Sequence, residues 1–431
     1  MNFFGTDGIR GKYGEDLTVD SAFLLGKSLA LYGGDCPIVV IGKDTRTSGD
    51  ALFSALAEGV YDGGGNVINL GILPTNAVAH FTRKFGGDFG VMITASHNPP
   101  CDNGLKVFDT YGVKLCLSKQ RAISALMDAQ SNAKCSRHRL YEPIFYDIDN
   151  IYVSDVLSAI KPDCSKLSIA LDLCHGAACK VAPAAFERAG ASVSAINCTP
   201  NGKLINVNCG ATCPQTLVQF MQGKGFHLGF AFDGDADRLS VVEGGNVLSG
   251  GRVFYAIAKY LQHKGKLPSG KVCGTTLTNE GVSQALSNLG ITLLRADVGD
   301  ANVFNTMARY KLNFGGEDSG HYLLTKLATG SDAIVNALLV TQIYAECGSL
   351  TAYTQECTER QSLSQNINVT DANRNLTDDA KLAVTTARVT ALYPGCKVVL
   401  RKSGTENKLR VYLEGDSLTE AMDCITATFA K

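Results

Sequence analysis

Short apolar, β-branched segments alternate with longer segments of helical spacing through the first three-quarters of the chain. Residues 37–42 form an apolar run, residues 51–60 place Leu52, Leu56 and Val60 on one helical face, and residues 65–70 form another run. Apolar residues three to four positions apart are typical of an amphipathic helix, and short β-branched runs between turn residues are typical of strands. The alternation predicts a mainly parallel sheet covered by helices.

The same strand–helix–strand pattern recurs twice further along the chain. The second copy comprises residues 168–172, 183–188 and 191–193, and the third comprises residues 271–276, 282–289 and 291–294. Each copy ends in an apolar strand that runs into a loop of polar residues, at residues 91–98, 230–237 and 312–319. Ligand sites in α/β sheets lie outside the C-terminal ends of strands. We therefore expect three similar units in tandem, with three loops that converge on one cleft.

The last 75 or so residues have a different pattern. A strand or linker at 356–368, a helix at 378–392, strands at 397–400 and 409–413, and a closing helix from Ser417 predict a small α+β unit. The expected fold is α/β: three tandem similar α/β domains with mixed, mainly parallel sheets, plus a C-terminal α+β domain, around a central active-site cleft. The expected boundaries are 1–150, 151–248, 249–353 and 354–431.

Composition narrows the class of protein. Lys and Arg number 40 against 41 Asp and Glu, a net charge of -1, so no basic excess favours nucleic-acid binding. The sequence has no run of about 18 apolar residues, so it predicts no membrane-spanning helix. The first ten residues lack a basic segment followed by an apolar one, so we expect no secretory signal and a cytoplasmic location.

The 15 cysteines are scattered and form no C-x-x-C pair. The closest pairs are Cys174 with Cys179 and Cys209 with Cys213, and neither has a zinc-site spacing. A disulfide framework is also a poor fit for a long chain without a secretory signal. We expect reduced, mostly buried thiols.

The strongest local signal is a run of three aspartates behind a predicted buried strand. Asp233, Asp235 and Asp237 follow the apolar residues 228–232 directly. Burying three unpaired carboxylates is costly, and oxygen donors of this kind suit Mg²⁺. A calcium-binding EF-hand loop would need Gly and Glu at its sixth and twelfth positions, where this run has Arg238 and Gly244. The run predicts a magnesium site, with a solvated acidic turn as the alternative.

Two other strand exits carry candidate chemistry. Ser96 follows the apolar residues 91–93 and is a candidate nucleophile or phosphate carrier. Its neighbour His97 is not expected to face it, and no nucleophile-elbow sequence supports a hydrolase triad. At the third exit, Glu317 and Ser319 can hydrogen-bond sugar hydroxyls, and His321 can titrate near neutral pH. A plain hydrogen-bonded turn is the alternative at both exits.

Guanidinium groups and hydroxyls concentrate between residues 401 and 410. Arg401, Ser403, Gly404, Thr405 and Arg410 combine cations, hydroxyls and a glycine turn, which favours phosphate binding. The stretch contains no Walker A motif, and a solvated basic turn is the alternative. Further cations are expected near loop exits, at Lys43, Arg46 and Lys106.

Five stretches of the chain, taken in order, resemble the motifs of the α-D-phosphohexomutase family. They are residues 4–11, 94–99, 233–237, 315–321 and 401–410. The resemblance covers essentially the whole chain and implies four domains around a central cleft. Three stretches are most similar to the bacterial members that interconvert glucosamine 6-phosphate and glucosamine 1-phosphate, namely residues 4–11, 205–212 and 298–300.

The resemblance implies a role for each candidate residue. Ser96 would be a phosphoserine, and Asp233, Asp235 and Asp237 would hold one Mg²⁺ together with an oxygen of that phosphate. The implied substrate-binding residues are Thr6, His97, Glu317, Ser319, Arg401, Ser403, Gly404, Thr405 and Arg410. The implied cleft residues, with the general acid and base among them, are Arg10, Lys106, Arg238 and His321.

The same resemblance implies the reaction and its participants. The phosphoserine would give its phosphoryl group to the sugar phosphate, and a hexose 1,6-bisphosphate would be the intermediate and the activator. The other phosphate would then return to Ser96. We expect a small sugar phosphate as the only partner, with no nucleic acid and no membrane, and a monomer or homodimer.

Some residues depart from the family pattern. Asn407 stands where proline is common, Ala301 and Asn302 stand where arginine and an aromatic residue are usual, and residues 330–332 replace the more usual Gly-Asp-Gly or Gly-Asp-Ala. The first two departures leave open a preference for mannose or glucose phosphates.

Two other classes of protein are compatible with parts of the sequence. A metal-dependent phosphatase would use Asp233 as its nucleophile, but it leaves Ser96 and residues 401–410 unexplained. A non-catalytic sugar-phosphate-binding module predicts the loss of Ser96 or of an aspartate, and all four residues are present.

Overall fold

The computed structural model describes residues 3–5, 7–133, 135, 147–370, 373–403 and 407–429. The first unit contains, in chain order, β1 (Ile9–Lys12), α1 (Val19–Gly33), β2 (Ile38–Lys43), α2 (Gly49–Asp62), β3 (Asn66–Ile72), α3 (Thr75–Lys84), β4 (Phe89–Ile93), β5 (Asp102–Asp109) and α4 (Leu117–Ala129). Its sheet has the order β1-β5-β4-β2-β3. β2 runs parallel to β3 and β4, and β5 runs antiparallel to β4 and β1.

The second and third units follow the same plan. The second contains α5 (Ile148–Ile160), β6 (Ser168–Asp172), α6 (Val181–Arg188), β7 (Ser192–Ile196), α7 (Gln215–Met221), β8 (Leu228–Phe232), β9 (Leu239–Glu243) and β10 (Asn246–Leu248), with the sheet order β10-β9-β8-β6-β7. The third contains α8 (Gly250–His263), β11 (Lys271–Thr275), α9 (Glu280–Asn288), β12 (Thr292–Ala296), α10 (Asp300–Tyr310), β13 (Phe314–Glu317), β14 (His321–Leu324), α11 (Ala333–Cys347) and α12 (Leu350–Tyr353), with the order β12-β11-β13-β14.

The fourth unit is smaller and antiparallel. It contains β15 (Ser362–Asn368), a 3₁₀ turn (Arg374–Thr377), α13 (Asp379–Leu392), β16 (Cys396–Lys402), β17 (Lys408–Gly415) and α14 (Leu418–Phe429). β17 lies between β15 and β16 and runs antiparallel to both. The expected fold of three similar α/β units followed by an α+β unit is confirmed.

The shared plan puts three loops at equivalent places. In each of the first three sheets a strand that is parallel to its inner neighbour (β4, β8 or β13) is followed by an antiparallel strand (β5, β9 or β14). The loops after these strands are residues 94–101, 233–238 and 318–320, which we call the serine loop, the metal loop and the sugar turn. The repeat in the sequence therefore corresponds to a repeat in topology.

A single apolar cluster joins parts of the first unit to the second and third units. Phe81 on α3, Tyr152 on α5, Phe230 on β8 and Phe254 on α8 are all almost fully buried within it. The fourth unit has a core of its own, centred on Val389, Leu409 and Leu413. The packing therefore fixes the first three loops relative to one another.

The predicted helix at 51–60 lies within α2, where Leu52, Leu56 and Val60 are buried as expected. The third strand exit differs from the prediction, because β13 begins at Phe314 and includes Gly315 and Gly316. A Cβ at Gly315 would lie 2.6 Å from Met307 Sδ and 2.8 Å from Cys273 O. These glycines therefore serve close packing inside the sheet, and the turn itself is only residues 318–320.

All 15 cysteines are free thiols. The expectation that most of the cysteines are buried is wrong, because seven are buried, four are half-buried and four are exposed. The exposed thiols are Cys36, Cys101, Cys116 and Cys198. Within the described ranges, none of the helices has both the length and the apolar character that crossing a membrane requires.

Candidate active site

The serine loop of the first unit meets the metal loop of the second. Ser96 Oγ donates a hydrogen bond to Asp233 Oδ2 at 2.6 Å, although the two residues are 137 positions apart in the chain. Ser96 is 3% exposed and Asp233 is fully buried. The nucleophile candidate and the metal-ligand candidates therefore share one buried site.

The serine loop is held by buried polar groups beneath it. Ser96 has a left-handed backbone, with φ of 51°, and its amide donates to Thr94 Oγ1 at 2.9 Å. Thr94 Oγ1 in turn donates to Asp44 Oδ2 at 2.7 Å. Arg46 pairs with the same carboxylate and donates to the carbonyl oxygens of Ser96, Asn98, Pro99 and Asp102. A serine in this conformation is strained, so the surrounding contacts must impose it.

Two of the three cations predicted near loop exits lie there, since Lys43 ends β2 and Arg46 follows it in the loop before α2, whereas Lys106 lies within a strand. Arg46 is 2% exposed and donates hydrogen bonds to the serine loop. Lys106 lies in the middle of β5, in register with Met92 of β4, and is 1% exposed. Lys43 ends β2 and pairs with Asp50 at 3.1 Å.

His97 does face its neighbour, contrary to expectation. His97 Nδ1 lies 3.3 Å from Ser96 Oγ, in a loop where the backbone of Ser96 is left-handed. Burial and the nearby guanidinium of Arg238 lower the pKa of His97 to about 4. The imidazole is therefore neutral near pH 7 and can either accept or donate a hydrogen bond.

Asp233, Asp235 and Asp237, which we call the aspartate triad, present one carboxylate oxygen each within 4.8 Å of one another. Asp235 Oδ1 and Asp237 Oδ1 are buried without a hydrogen-bond partner among the described residues. Burial, together with the charges of Asp237 and Asp235, raises the pKa of Asp233 well above its usual value. Unpaired oxygens in a buried acidic cluster fit a hard divalent cation.

Lys106 neutralises part of this cluster. Its Nζ donates to Asp235 Oδ2 at 2.8 Å and to Asp237 Oδ2 at 2.7 Å. Burial alone would lower the pKa of Lys106, but Asp235, Asp237 and Asp7 raise it well above its usual value. Thr75, at the start of α3, also donates its hydroxyl to Asp235 Oδ2. The first unit thus supplies both a charge and a hydroxyl to the metal loop.

His321 connects the triad to an ionic network that the sequence analysis did not assign. Its Nδ1 lies 3.7 Å from Asp237 Oδ1, and its Nε2 lies 3.4 Å from Asp300 Oδ2. Burial opposes the protonated form, but Asp237 and Asp300 raise the pKa of His321 to about 10. Lys114 bridges Asp300 of the third unit to Asp7 of the first. The network ties the two units together across the cleft.

Two guanidinium groups present buried donors without partners among the described residues. Arg10, on β1, donates Nη2 to Asp7 at 2.7 Å, but its Nε is buried and unpaired. The Nε of Arg238, which follows the aspartate triad, is also buried and unpaired. Orphaned charged donors are costly, and phosphate oxygens are their natural partners.

The sugar turn and the fourth unit hold the other predicted residues. Glu317 ends β13 and accepts a hydrogen bond from the Gly299 amide at 2.9 Å, and Ser319 is exposed in the turn. Arg401 on β16 and Arg410 on β17 are in register, and Arg410 donates to Ser403 Oγ at 3.3 Å. Burial and Arg410 lower the pKa of Arg401, while Glu317 opposes this shift. Like charges facing each other across strands favour a bound anion. Thr6, Gly404 and Thr405 lie outside the described residues.

Four residues of the site were within reach of the sequence but were not assigned. Asp7 and Asp300 lie inside stretches that carry the family resemblance, and Lys114 lies five residues beyond the end of β5. Asn206, in the 205–212 stretch, donates to the carbonyl oxygen of Ser96 at 2.8 Å. The available signal was the occurrence of polar residues inside family-like motifs, but no local pattern says which partners they meet.

The four units correspond to four domains of one protein family. Residues 1–134, 149–246 and 249–361 match alpha/beta/alpha domains I, II and III of the phosphoglucomutase/phosphomannomutase family, and residues 365–431 match its C-terminal domain. Together the matches extend over nearly the whole chain, in the family's order.

Complete sequences and solved structures agree with this match. The chain is 37% identical to a phosphoglucosamine mutase of Moorella thermoacetica, with 97% of this chain and 96% of that one covered. It is also 37% identical to a phosphoglucosamine mutase of Carboxydothermus hydrogenoformans, with 99% of both chains covered. The crystal structure of a phosphoglucomutase/phosphomannomutase family protein from Burkholderia thailandensis has a similar fold, with a TM-score of 0.81 at 23% identity over 99% of this chain and 97% of that one.

Proposed function

The chain belongs to the phosphoglucomutase/phosphomannomutase family of isomerases, and from that premise we propose that it interconverts glucosamine 6-phosphate and glucosamine 1-phosphate. The reaction would use a phosphoserine at Ser96 and a bisphosphorylated sugar intermediate. The observation that carries the proposal is the 2.6 Å hydrogen bond between Ser96 Oγ and Asp233, which joins the phosphate carrier to the buried acidic cluster.

The chemistry at Ser96 is a pair of phosphoryl transfers in opposite directions. In the first, the bond between Ser96 Oγ and phosphorus breaks and Oγ takes a proton from an acid, while a sugar hydroxyl oxygen bonds to the phosphorus and gives its proton to a base. In the second, the bond between the other phosphorus and its sugar oxygen breaks and that oxygen takes a proton, while Ser96 Oγ bonds to the phosphorus and gives its proton to a base. Such transfers depend on in-line placement and on neutralising charge more than on covalent catalysis. The tightly held serine loop suits the first requirement.

The second requirement, the neutralisation of charge, would be met by cations from the first three units. A phosphoserine and a sugar phosphate bring about three to four negative charges together. Arg10, Lys106, Arg238 and His321 offset this charge, and the orphaned Nε donors of Arg10 and Arg238 are available to phosphate oxygens. The general acid and base of the reaction are expected among these four residues.

The aspartate triad would hold one Mg²⁺ together with an oxygen of the phosphoserine. The buried Oδ1 atoms of Asp235 and Asp237 support this assignment, because neither accepts a hydrogen bond from a described residue. When bound, the ion would polarise the phosphoryl oxygens and offset their developing charge. Asp233 would hold the ion through Oδ2, the oxygen next to Ser96 Oγ, since its Oδ1 already accepts two backbone amides, from Asp237 and Arg238.

Recognition of the sugar is proposed for the third and fourth units. Glu317 and Ser319 would bind sugar hydroxyls, with His97 beside the transferred group. Arg401, Ser403, Gly404, Thr405 and Arg410 would bind the phosphate that is not reacting, and Thr6 would contribute from the N-terminal stretch. Because the fourth unit has a separate core, it can move as a body while the bisphosphate turns around in the cleft. Closure would exclude water that otherwise hydrolyses the phosphoserine.

The phosphatase alternative is not favoured by the geometry. Asp233 Oδ2 accepts the hydroxyl of Ser96 and Oδ1 accepts two backbone amides, and a phosphatase that attacked through Asp233 would leave this buried placement of Ser96 without a role. A preference for mannose or glucose phosphates uses the same site and stays the second candidate. The free thiols support a reducing compartment such as the cytoplasm.

The test is a coupled assay with Mg²⁺ and a trace of hexose 1,6-bisphosphate, which charges Ser96. It compares kcat/KM for glucosamine 1-phosphate, glucose 1-phosphate and mannose 1-phosphate. A preference for the amino sugar of about 100-fold or more would support the proposal, because sites that bind a polar substituent reject analogues that lack it. Comparable or faster turnover of the neutral sugars would assign the chain to the second candidate.

A further inference from the structure

One family-like stretch has no part in the function proposed above. Residues 201–210 of the second unit lie against the serine loop and its support in the first unit. A Cβ at Gly202 would come within 2.3 Å of Thr45 O, and one at Gly234 would come within 2.7 Å of Ser96 O and 3.0 Å of Asn206 Nδ2. The 201–210 segment is therefore closely packed against both the loop that carries Ser96 and the loop that carries the aspartate triad.

Asn206 makes the polar contact across this junction. Its Nδ2 donates to Ser96 O at 2.8 Å and to Asn98 O at 3.1 Å. Cys174 Sγ donates to Asn206 Oδ1 at 3.0 Å, which fixes the amide with its nitrogen towards the serine loop. The backbone of Asn206 is left-handed, with φ of 61°, a conformation that asparagine tolerates better than most residues.

The two carbonyls that Asn206 binds are also the ones that Arg46 binds from below. Arg46 Nη2 donates to Ser96 O at 2.9 Å and to Asn98 O at 2.8 Å. Each carbonyl therefore has one donor from its own unit and one from the second unit. Arg46 holds the loop within the first unit, whereas Asn206 ties it to the unit that carries Asp233.

We propose that Asn206 is a positioning residue for phosphoryl transfer. Across the junction of the first two units, it holds the serine loop so that Ser96 Oγ lies next to the aspartate triad. The inference rests on the proposed phosphoserine chemistry, although not on which sugar is preferred. Asn206 touches no reacting atom and acts through the backbone of Ser96. Its loss should therefore impair the transfer step and leave sugar binding, in the third and fourth units, unaffected.

The test uses two substitutions and a matched control in the full-length protein. Asn206→Asp keeps the shape but replaces the amide donor with an oxygen that repels the carbonyls, and Asn206→Gly removes the side chain while accepting the left-handed backbone. The control is Asn208→Asp, because Asn208 is exposed, has φ of 53° and belongs to the same segment. A structural effect of altering an asparagine in this turn would affect all three variants.

Two measurements separate positioning from folding. Steady-state turnover of glucosamine 1-phosphate should show kcat lower by about 10- to 100-fold for both Asn206 variants with KM unchanged, since misplacement of a reacting group by about 1 Å costs this much. Intact-mass kinetics should show slower phosphorylation of Ser96 by glucose 1,6-bisphosphate. Asn208→Asp should match the wild type in both.

The outcomes also separate this inference from the proposed function. Wild-type kcat and wild-type phosphorylation of Ser96 in both Asn206 variants would overturn the positioning role, and so would an equal loss in Asn208→Asp. If the wild-type protein turned over only neutral sugar phosphates, the proposed substrate would be wrong, while the comparison of Asn206 with Asn208 by mass would still decide the inference.

Discussion

Replacing Arg46 with methionine should destabilise the first unit and release the serine loop. The guanidinium has five N–H donors, and the structure gives each an acceptor: Asp44 Oδ2 at 3.0 Å and the carbonyls of Ser96, Asn98, Pro99 and Asp102. Both side chains of the Arg46–Asp44 pair are 0% exposed. Methionine fills a similar volume and provides no donor.

The magnitude follows from what is left unpaired. Removing one partner of a buried ion pair costs about 3–5 kcal/mol, because the remaining charge stays buried. Ser96 O and Asn98 O keep the amide of Asn206, which limits the further loss. Arg46→Lys retains the charge but can fill at most three of the five contacts, so its loss should be smaller.

The loss should also depend on pH. Burial raises the pKa of Asp44, and Arg46 opposes that rise. In the folded Arg46→Met variant the pKa of Asp44 should therefore be higher still. A carboxyl group whose folded pKa exceeds its unfolded value binds more protons when folded, and its folded form gains stability as the pH falls. The stability difference between wild type and Arg46→Met should therefore shrink as the pH falls from neutral towards the pKa of Asp44 in the unfolded chain.

The assay is urea unfolding combined with hydrogen exchange of the peptide that covers residues 94–102, because a chain of four units need not unfold in one step. Arg121→Met is the control, since Arg121 is exposed on α4 of the same unit. A loss for Arg46→Met no larger than that of the control, or a difference that grows as the pH falls, would refute the reasoning.

Three further predictions concern the site and its link to the fourth unit. Ser96→Ala should lose turnover while its circular dichroism spectrum stays that of the wild type, and a variant that kept most of its activity would exclude the phosphoserine. A chelator should stop turnover reversibly and Mg²⁺ should restore it, because the aspartate triad presents buried oxygens that accept no hydrogen bond from the described residues. Rates unchanged by the chelator would contradict the metal site. Lys397→Met should weaken the contact between the third and fourth units by about 1–2 kcal/mol. Lys397 Nζ donates a hydrogen bond to Glu280 at 3.0 Å and lies 3.6 Å from the buried Glu414. Limited proteolysis at residues 354–361 should become faster, and an unchanged rate would rule out that link.

The sequence determined the local elements and the chemical inventory of the site. Residues 168–172, with the apolar centre Ile169–Leu171, form a strand with the predicted bounds, because strand and helix periodicity is set by neighbouring residues. The alternating aspartates and the family-like motifs also predicted the roles of Ser96 and the aspartate triad, because burying carboxylates without a cation is costly, and the structure brings Ser96 and Asp233 into contact. The residue types that phosphoryl transfer needs are thus all apparent in the amino-acid sequence itself.

Tertiary structure decided which of these residues meet, and in what state. His97 Nδ1 lies 3.3 Å from Ser96 Oγ in a loop where the backbone of Ser96 is left-handed and its carbonyl oxygen accepts from both Arg46 and Asn206. Gly315 and Gly316 were predicted to be loop residues, but both lie inside β13, where a Cβ on Gly315 would meet Met307 and one on Gly316 would meet the facing strand at His321 O. Lys106 read as an exit cation, but β5 returns antiparallel to β4 and buries it against the triad. Contacts between residues more than 100 positions apart follow from strand order and from the junctions between units, and no local pattern encodes either.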